Sequence, residues 1–454
     1  MLSIGTIILT LLILFIYKKS ENYNVFIENI ISITLIIEVL VIRGYFFKKG
    51  NFLIDYTLTM HLFSLIVIGS YVYINMAKIS TRLKSYVIVM LGMQLLCLII
   101  NYINPPIEYI IDSWDNFFIN ESDKQRLFNI STYTLELLFI SLPSLLSVCM
   151  LKMYSNTKHL NIRNVLRKTN RVLDFYLLVL LIQAITVVIF NNNFIDGVFE
   201  LLCGPGTEQT TEIRQRFHDM NNIHGIGGES SFLAYSMYLS CLLFYFEYKF
   251  DLKLKKLKIR IALSVLYMFL SGAFSMLLFL MLLSIYFCKQ YLSKKQIYYI
   301  IVPLILVILF AISMLGDWLE GEYFYYRLML VIEAFGRIGD MNVYGIEDSS
   351  LVRFTSIFVL MKKVIEFNPL LGLGMGVQGA HNGLVMLFAD MGVLGGYVWY
   401  RFISDGIKRA KMDFFILIIV QNIFFGFKFY VYFSTVLIYL LLDEVYKANG
   451  KENI

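Results

Sequence analysis

One histidine–asparagine pair stands where a glycine-rich run meets a long apolar segment. In GLGMGVQGAHNGLVMLFADMGVLGGY, residues 372–397, the glycines precede His381 and Asn382. Glycine tolerates backbone conformations that allow sharp turns. A histidine titrates near neutral pH and can accept a proton from a hydroxyl group. His381 is therefore either a catalytic base or a polar residue that lies at a membrane interface.

Arginines occur in the two longest polar segments, 191–229 and 317–382. They are Arg214, Arg216, Arg327, Arg337 and Arg353. A guanidinium keeps its charge and can bind two oxygens of a phosphate or diphosphate at once. Two arginine-bearing loops and one histidine would suit a lipid-diphosphate donor and a hydroxyl acceptor.

Segment 191–229 ends in EIRQRFHDMNNIHGIGGE, which offers a carboxylate and two histidines. Glu229 precedes an apolar segment and is either a helix cap or a functional carboxylate. His218 and His224 are six residues apart, which fits neither a helix-face pair nor a common zinc pattern. The two loops also lack HExxH, P-loop, GxSxG and DxD-like motifs. We therefore predict no metal and no cofactor.

Segment 350–367 predicts a helix, stopped by Pro369. Its apolar residues recur at helical spacing, so one face can lie on the membrane surface. They are Leu351, Phe354, Phe358, Met361 and Ile365. Arg353 lies in the first turn, where a lone arginine can also extend toward lipid headgroups.

Composition places these residues on a polytopic α-helical membrane protein. The 454 residues are 58% hydrophobic and 16% charged, whereas a soluble domain has roughly 25% charged residues. Apolar segments long enough to span a bilayer recur along the chain. They are roughly 2–17, 25–42, 57–76, 86–103, 128–151, 172–190, 230–248, 261–288, 297–316, 383–400, 413–427 and 429–446. The net charge of +6 resides in short connectors and does not indicate nucleic-acid binding.

Charge predicts which connectors share a face of the membrane. The most basic ones are expected in the cytoplasm; they are 152–171, 249–260, 289–295 and 401–411. Three longer connectors, richer in acid, are expected on the other face; they are 104–127, 191–229 and 317–382. Connector 43–51, RGYFFKKGN, would also lie outside although it carries three basic residues.

Segment 261–288 has basic connectors on both sides, so it must enter and leave on one face. Its 28 residues are too few for two full spans at about 1.5 Å per residue. LSGAFS (270–275) suggests a broken, re-entrant helical pair, and one long tilted span is the alternative. We expect about 11 full spans in addition to this pair.

Three regions follow from this organisation. Residues 1–171 form an N-terminal transmembrane bundle, and residues 172–402 form a catalytic membrane region that carries external loops 191–229 and 317–382. Residues 403–454 form a C-terminal transmembrane hairpin with a cytoplasmic tail.

Four elements in this order resemble the C-terminal signature of the O-antigen polymerase and ligase superfamily, especially the Wzy-type O-antigen polymerases. They are Arg353, NPLLGLGMG (368–376), the His381–Asn382 pair and LFADMGVLGG (387–396). HGIGGESSFLAYSM (224–237) is similar to the family's glycine-then-Glu-Pro-Ser element, with Ser230 in place of the proline. The resemblance covers about residues 172–402. LSGAFS departs from the family, because Phe274 replaces an arginine that many relatives have there.

The resemblance implies a metal-independent, inverting glycosyltransferase of the GT-C-like membrane class. Its donor would be an oligosaccharide linked to undecaprenyl diphosphate, and its acceptor a hydroxyl of another lipid-linked repeat unit of O-antigen or capsule. Such a protein would lie in the bacterial inner membrane among its lipids, with its active site on the periplasmic or outer face. A chain-length regulator is a candidate partner.

The resemblance also implies roles for individual residues. His381 would be the general base, and Arg353 would hold the leaving diphosphate together with other arginines. The candidates for this diphosphate binding are Arg214, Arg216, Arg327 and Arg337. Glu229 would orient an arginine or the acceptor, and Asp390 would be structural.

Two alternatives remain open. The related ligase activity would transfer the finished glycan to the lipid A core, and the missing arginine at Phe274 argues against it. A flippase or transporter would place ionisable residues along a central pathway. The candidates for such a pathway are Glu38, His61, Glu136 and Asp174.

Overall fold

The computed structural model of this chain is a bundle of membrane helices. It describes residues 4–42, 45–49, 52–109, 129–157, 159–190, 192, 194–203, 223–251, 254–272, 279–280, 283–284, 360–377, 383–405 and 433–448. The first helices are α1 (Ile4–Lys19), α2 (Tyr23–Val39), α3 (Tyr56–Ile74), α4 (Thr81–Ile103), α5 (Ile130–Glu136) and α6 (Leu142–Ser155). The later ones are α7 (Ile162–Ala184), α8 (Phe194–Cys203), α9 (Ser230–Asp251), α10 (Leu254–Leu270), α11 (Gly383–Ile403) and α12 (Phe433–Ala448).

Five stretches among the described residues are long and apolar enough to cross a bilayer. They are Tyr56–Ile74, Thr81–Ile103, Ile130–Ser155, Ile162–Val187 and Gly383–Ile403. The predicted class, an α-helical membrane protein, is thereby confirmed. The total of about 11 full spans stays a prediction, since predicted segments 297–316 and 413–427 lie outside the described residues.

A short antiparallel β-hairpin replaces the plain connector that the sequence predicted after α2. Strand β1 (Tyr45–Lys49) pairs with β2 (Phe52–Asp55), with Lys49 opposite Phe52. The helical class still holds, and this hairpin adds two short strands in a connector. Aromatic residues on both sides of a Gly-Asn dipeptide are the sequence signal for such a hairpin.

Helix α7 begins ten residues earlier than its apolar segment predicted, at Ile162 rather than at 172. The side chain of Asn161 caps it by accepting the Asn164 backbone N–H (3.1 Å). Hydropathy misses this part because its face toward solvent is basic, whereas Val165 and Leu166 are buried. Residues 162–171, which are half of the predicted basic connector 152–171, therefore belong to α7.

The span from Ile130 to Ser155 is not a uniform α-helix. A π-helical turn, Leu137–Ser141, separates α5 from α6. Pro143 follows directly, and proline has no backbone N–H and displaces the carbonyl four residues earlier. The wider π turn is a common way for a helix to absorb such a defect.

One end of the bundle gathers the basic connectors. Lys152 Nζ donates to the carbonyl oxygen of Asp405 (2.9 Å), and Arg82 lies 3.6 Å from the Asp405 carboxylate. Arg163 lies 3.4 Å from Glu444, near the end of α12. We call this the basic end; it comprises 18–20, 75–84, 152–157, 159–171, 249–251, 254–260 and 401–405.

The opposite end gathers the residues that border the three acidic loops. Tyr56 Oη donates to the carbonyl oxygen of Leu202 (3.3 Å), and Asn101 Nδ2 donates to that of Leu373 (2.6 Å). We call this the loop end; it comprises 40–42, 45–49, 52–55, 101–109, 129–136, 194–203, 223–230 and 360–377. The β-hairpin belongs to it despite its basic residues.

The predicted break in segment 261–288 is present at Leu270. Helix α10 ends there, Gly272 has a φ of 62°, and the Ile223 N–H donates to the Leu270 carbonyl oxygen (3.1 Å). Phe279, the next described residue, stacks on Tyr238, more than two turns inside α9 (ring centroids 5.0 Å apart). A chain that continued straight beyond the loop end would not reach this position, so the contact favours the broken pair. Most of the residues that follow the break in segment 261–288 lie outside the described part of the chain.

Candidate functional site

One of the seven predicted site residues, Glu229, lies in the part of the chain that the structure describes. The other six lie outside it; they are His381, Arg353, Arg214, Arg216, Arg327 and Arg337. The structure therefore describes Glu229 and the segments that precede or follow the other six residues in the chain.

The glycine-rich run before His381 inserts into a break in α11. Gly392 interrupts that helix with φ 61° and ψ −169°. The N–H groups of Val393 and Leu394, which lose their partners at the break, donate instead to the carbonyl oxygens of Pro369 (3.0 Å) and Leu370 (3.1 Å). The segment after Pro369 thus completes the broken helix.

The carbonyl groups freed by the same break are also satisfied. The Ala389 carbonyl oxygen accepts the Leu373 N–H (2.5 Å), and the Asp390 carbonyl oxygen accepts the Gln94 side-chain amide (3.1 Å). Irregular backbone at membrane depth is tolerated only where protein or a wet cavity supplies such partners. Here protein supplies all four.

Two glycines make this close approach possible. A Cβ atom on Gly372 would collide with the Ala389 carbonyl oxygen, and one on Gly392 would collide with the Leu370 backbone. Both residues also have positive φ, which disfavours any other residue type. The predicted sharp turn is confirmed, because Gly374 and Gly376 have positive φ as well. Gly392 also breaks α11, a break that the sequence analysis did not predict.

Helix α4 holds the glycine-rich run with side chains that the sequence analysis missed. Gln94 Oε1 accepts the Met375 N–H (2.9 Å), and Asn101 Nδ2 donates to the Leu373 carbonyl oxygen (2.6 Å). Both amides are about 1% exposed. The sequence does contain a signal for this contact. Two amide side chains lie seven residues apart, and therefore on one face, in an otherwise apolar helix.

The run leads to the start of α11, which begins at Gly383, directly after His381 and Asn382. The first N–H groups of a helix have no intrahelical partners and carry partial positive charge. The first turn of α11 contains no acidic residue that would neutralise this charge. The dipole of α11 therefore favours negative charge near this first turn.

The helix before the run lies at the surface of the bundle, and its placement on the membrane surface stays a prediction. Residues 360–367 are helical and end before Pro369. Met361 and Ile365, on the predicted membrane-facing side, are 38% and 54% exposed, whereas Val364 is fully buried. The first half of this predicted helix, including Arg353, lies outside the described residues.

Glu229 lies at the first turn of α9. Its carbonyl oxygen accepts the N–H groups of Phe232 (3.1 Å) and Leu233 (3.2 Å), and its carboxylate accepts the Ser231 hydroxyl (3.2 Å). The side chain is half-buried. A carboxylate there is favoured by the helix dipole, so both predicted roles, capping and function, fit its position.

The turn before Glu229 packs on the end of α2. A Cβ atom on Gly227 would lie 3.2 Å from the Val41 carbonyl oxygen. Val41 itself has a φ of 49°, at the position after α2 where helices often end with glycine. The Ile42 N–H bonds back to the Ile37 carbonyl oxygen (3.2 Å), which completes that terminating motif. The end of α2 thus buttresses the turn that carries Glu229.

A buried polar cluster fixes the same turn to α7 and α8. His224 Nε2 lies 3.2 Å from Asp196 Oδ2, and its Nδ1 lies 2.8 Å from the Gly225 carbonyl oxygen. Gln183 donates to Asp196 (2.9 Å) and accepts the Gly225 N–H (3.1 Å). Both ring nitrogens of His224 thus face protein oxygens. Within the described residues, no three histidine, cysteine or acidic side chains are grouped to hold a metal ion.

Glu38 and His61 form one buried network near the loop end. His61 Nε2 lies 2.8 Å from Glu38 Oε1, and its Nδ1 lies 3.1 Å from the Ser147 hydroxyl. The Glu38 oxygens also accept the N–H groups of Phe433 (2.9 Å) and Ser434 (2.8 Å). This network fixes the first turn of α12 against α2 and α3.

Asp174 belongs to a different network at the basic end. Arg260 donates to both of its carboxylate oxygens (2.6 Å each) and to Glu247 (2.5 Å). This arrangement joins α7, α9 and α10. Glu136 lies elsewhere again, at the end of α5, where its Cγ would be 3.2 Å from a Cβ atom on Gly376.

Comparison with known proteins finds no matching family model, no matching curated protein and no matching solved structure.

Proposed function

We propose that this chain is an inverting membrane glycosyltransferase that polymerises lipid-linked oligosaccharides. The observation that carries the proposal is the discontinuous helix α11 with the glycine-rich run seated in its break. Discontinuous helices in membrane proteins are often found at binding sites. In α11 the freed backbone groups bond to the run and to Gln94, so the break holds in place the segment that leads to His381. His381 and Asn382 join this run to the start of α11, and the sequence resemblance assigns the chemistry to this same stretch.

The reaction is a single displacement at the anomeric carbon of the donor glycan. A hydroxyl oxygen of the acceptor repeat unit bonds to that carbon, while the bond from the carbon to the diphosphate oxygen breaks. His381 accepts the hydroxyl proton, and the bonding electrons leave with undecaprenyl diphosphate. Arg353 and the other loop arginines stabilise the charge that develops on the diphosphate.

Two features of the loop end support this arrangement. The helix dipole favours negative charge near the first turn of α11, which directly follows His381 and Asn382 in the sequence and would suit a leaving diphosphate. Glu229 lies at the same end of the bundle, on a turn held by the His224–Asp196 and Val41 contacts. It serves in this proposal to orient an arginine or the acceptor hydroxyl.

The distribution of ionisable residues disfavours a transporter. A transport pathway needs such residues along one route near the middle of the membrane. Glu38 and His61 bond to each other, Asp174 bonds to Arg260 at the basic end, and Glu136 lies beside the glycine-rich run. The four candidates thus occupy three separate places.

A genetic experiment tests the proposal. The gene is deleted from a strain that carries it, and the wild type, His381→Ala and Arg353→Ala are restored at matched membrane levels. Glycan ladders on a gel should show long chains with the wild type and single repeat units with both variants. Long ladders with both variants would contradict the assignment of His381 and Arg353 to the site. A wild type that restores only single repeat units would contradict the proposed polymerase activity.

A further inference from the structure

The α4 amides Gln94 and Asn101 make three contacts that the proposed reaction does not itself explain. Gln94 bonds to the glycine-rich run and to the broken helix at once, through Met375 N–H and the Asp390 carbonyl oxygen. Asn101 bonds to the Leu373 carbonyl oxygen, two residues before Met375 on the run. The sulfur of Cys97, one turn away, lies 3.5 Å from the Leu371 carbonyl oxygen.

These contacts hold a segment that has no regular structure of its own. Residues 371–376 belong to no helix or strand, so neither repeating backbone bonds nor a hydrophobic stripe fixes their position. Several of their backbone groups bond instead to α4 and to α11, and others bond to Asn368 at the end of the preceding helix. A buried amide that bonds to backbone specifies both the position and the register of such a segment.

Ordinary packing of α4 on α11 would not require these side chains. Membrane helices associate chiefly through small residues and van der Waals contact. Gln94 and Asn101 are polar, almost fully buried and aimed at main-chain atoms. Apolar side chains of similar size could fill the same volume, but they could not bond to the run.

We infer that Gln94 and Asn101 are positioning residues, which hold the glycine-rich run in the break of α11 and thereby set the geometry of the site that the run leads to. Met375 lies six residues before His381 along the chain. A displacement of about 1 Å in a catalytic group can lower a rate by about 100-fold, so a mobile run would impair turnover. This inference rests on the proposed function for its effect on activity.

The test uses the full-length protein purified in detergent or lipid nanodiscs. Gln94→Met and Asn101→Leu keep side-chain size but remove the bonds, and Tyr102→Phe, on the exposed side of α4, is the control. Hydrogen–deuterium exchange of peptides that cover 370–377 reports directly on the Leu373 and Met375 amides. We expect exchange in these peptides to rise at least tenfold in both variants and to stay unchanged in the control.

Steady-state turnover of lipid-linked oligosaccharide, per folded molecule, provides the second measurement. We expect kcat to fall at least tenfold with KM changed less than threefold, since the substrate contacts remain. A variant whose exchange is unchanged would overturn the inference, and so would faster exchange with normal kcat. If the wild type itself makes no polymer, the proposed function fails, whereas the exchange data still decide whether the amides hold the run.

Discussion

The carboxylate of Glu229 has two proposed roles, helix capping and orientation of a reacting group, which one substitution can separate. Its backbone begins α9 by accepting two N–H groups, and its side chain accepts the Ser231 hydroxyl. The backbone contacts do not depend on the side chain. Only the charge of the carboxylate favours the helix start and could orient an arginine or a hydroxyl group.

We predict that Glu229→Gln leaves a folded protein with little polymerising activity. Loss of a charge at a helix start costs about 0.3–1 kcal/mol, which the bundle can tolerate. Loss of an orienting carboxylate in the site should instead lower polymer formation by at least tenfold. Thermal unfolding in detergent and glycan ladders from the same preparations measure the two effects.

Ser231→Ala provides the matched control, because it removes the hydroxyl but keeps the charge. It should change both stability and ladder length very little. Normal ladders with Glu229→Gln, together with a lower unfolding temperature, would leave capping as the role of Glu229.

At the scale of elements, the break in α11 decides whether the site can form. The glycine-rich run was predictable as a sharp turn, since three closely spaced glycines have little other use beside a membrane helix. That the run would enter α11 was not predictable. The partners of its backbone groups, Gln94 and Asn101, lie more than 270 residues away in the sequence.

We predict that Gly392→Ala prevents the run from seating in α11. Its backbone conformation, with φ 61° and ψ −169°, is one that essentially only glycine adopts, and it should cost alanine about 1–3 kcal/mol. The new methyl group would also collide with the Leu370 backbone. Polymer formation should be lost, and the unfolding temperature should fall.

Gly396→Ala in the same helix is the control. The nearest neighbour of a Cβ atom there, Leu387 Cγ, is 4.0 Å away, so alanine should be tolerated and should stabilise the helix slightly. Equal behaviour of the two variants would contradict the assignment of Gly392 as the break.

Apolar periodicity located most described helices within a few residues, and charge sorted their connectors into two groups. Apolar periodicity missed the first part of α7, because the exposed face of that part is basic. It also missed the β-hairpin, because the two strands are too short to show a clear alternating pattern. The networks of Asp174 and His224 depend on contacts between distant helices, which one sequence does not reveal. The positions of the loop arginines stay predictions.

At the scale of the whole molecule, the separation of a basic end from a loop end defines orientation. The positive-inside rule predicts that the basic end lies in the cytoplasm and that the loop end faces outward. A donor linked to a lipid diphosphate would then meet the site on the outer face.

We predict that labelling of single cysteines follows this orientation. In a variant with its five cysteines replaced, Asn192→Cys at the loop end should react with an impermeant maleimide in intact cells. Asn156→Cys at the basic end should react only after permeabilisation. Both positions are exposed, so a difference in labelling reports the side of the membrane on which each one lies. The reverse pattern would place the proposed site in the cytoplasm and contradict the account.

The central claim is that the protein itself joins lipid-linked repeat units. Its most direct test is mass spectrometry of products after the purified wild type, in liposomes, is supplied only with an undecaprenyl-diphosphate-linked oligosaccharide. The account predicts glycans of two or more repeat units, one released undecaprenyl diphosphate for each new linkage, and neither product with His381→Ala. A donor that stays at one repeat unit with the folded wild type, and releases no undecaprenyl diphosphate, would contradict it.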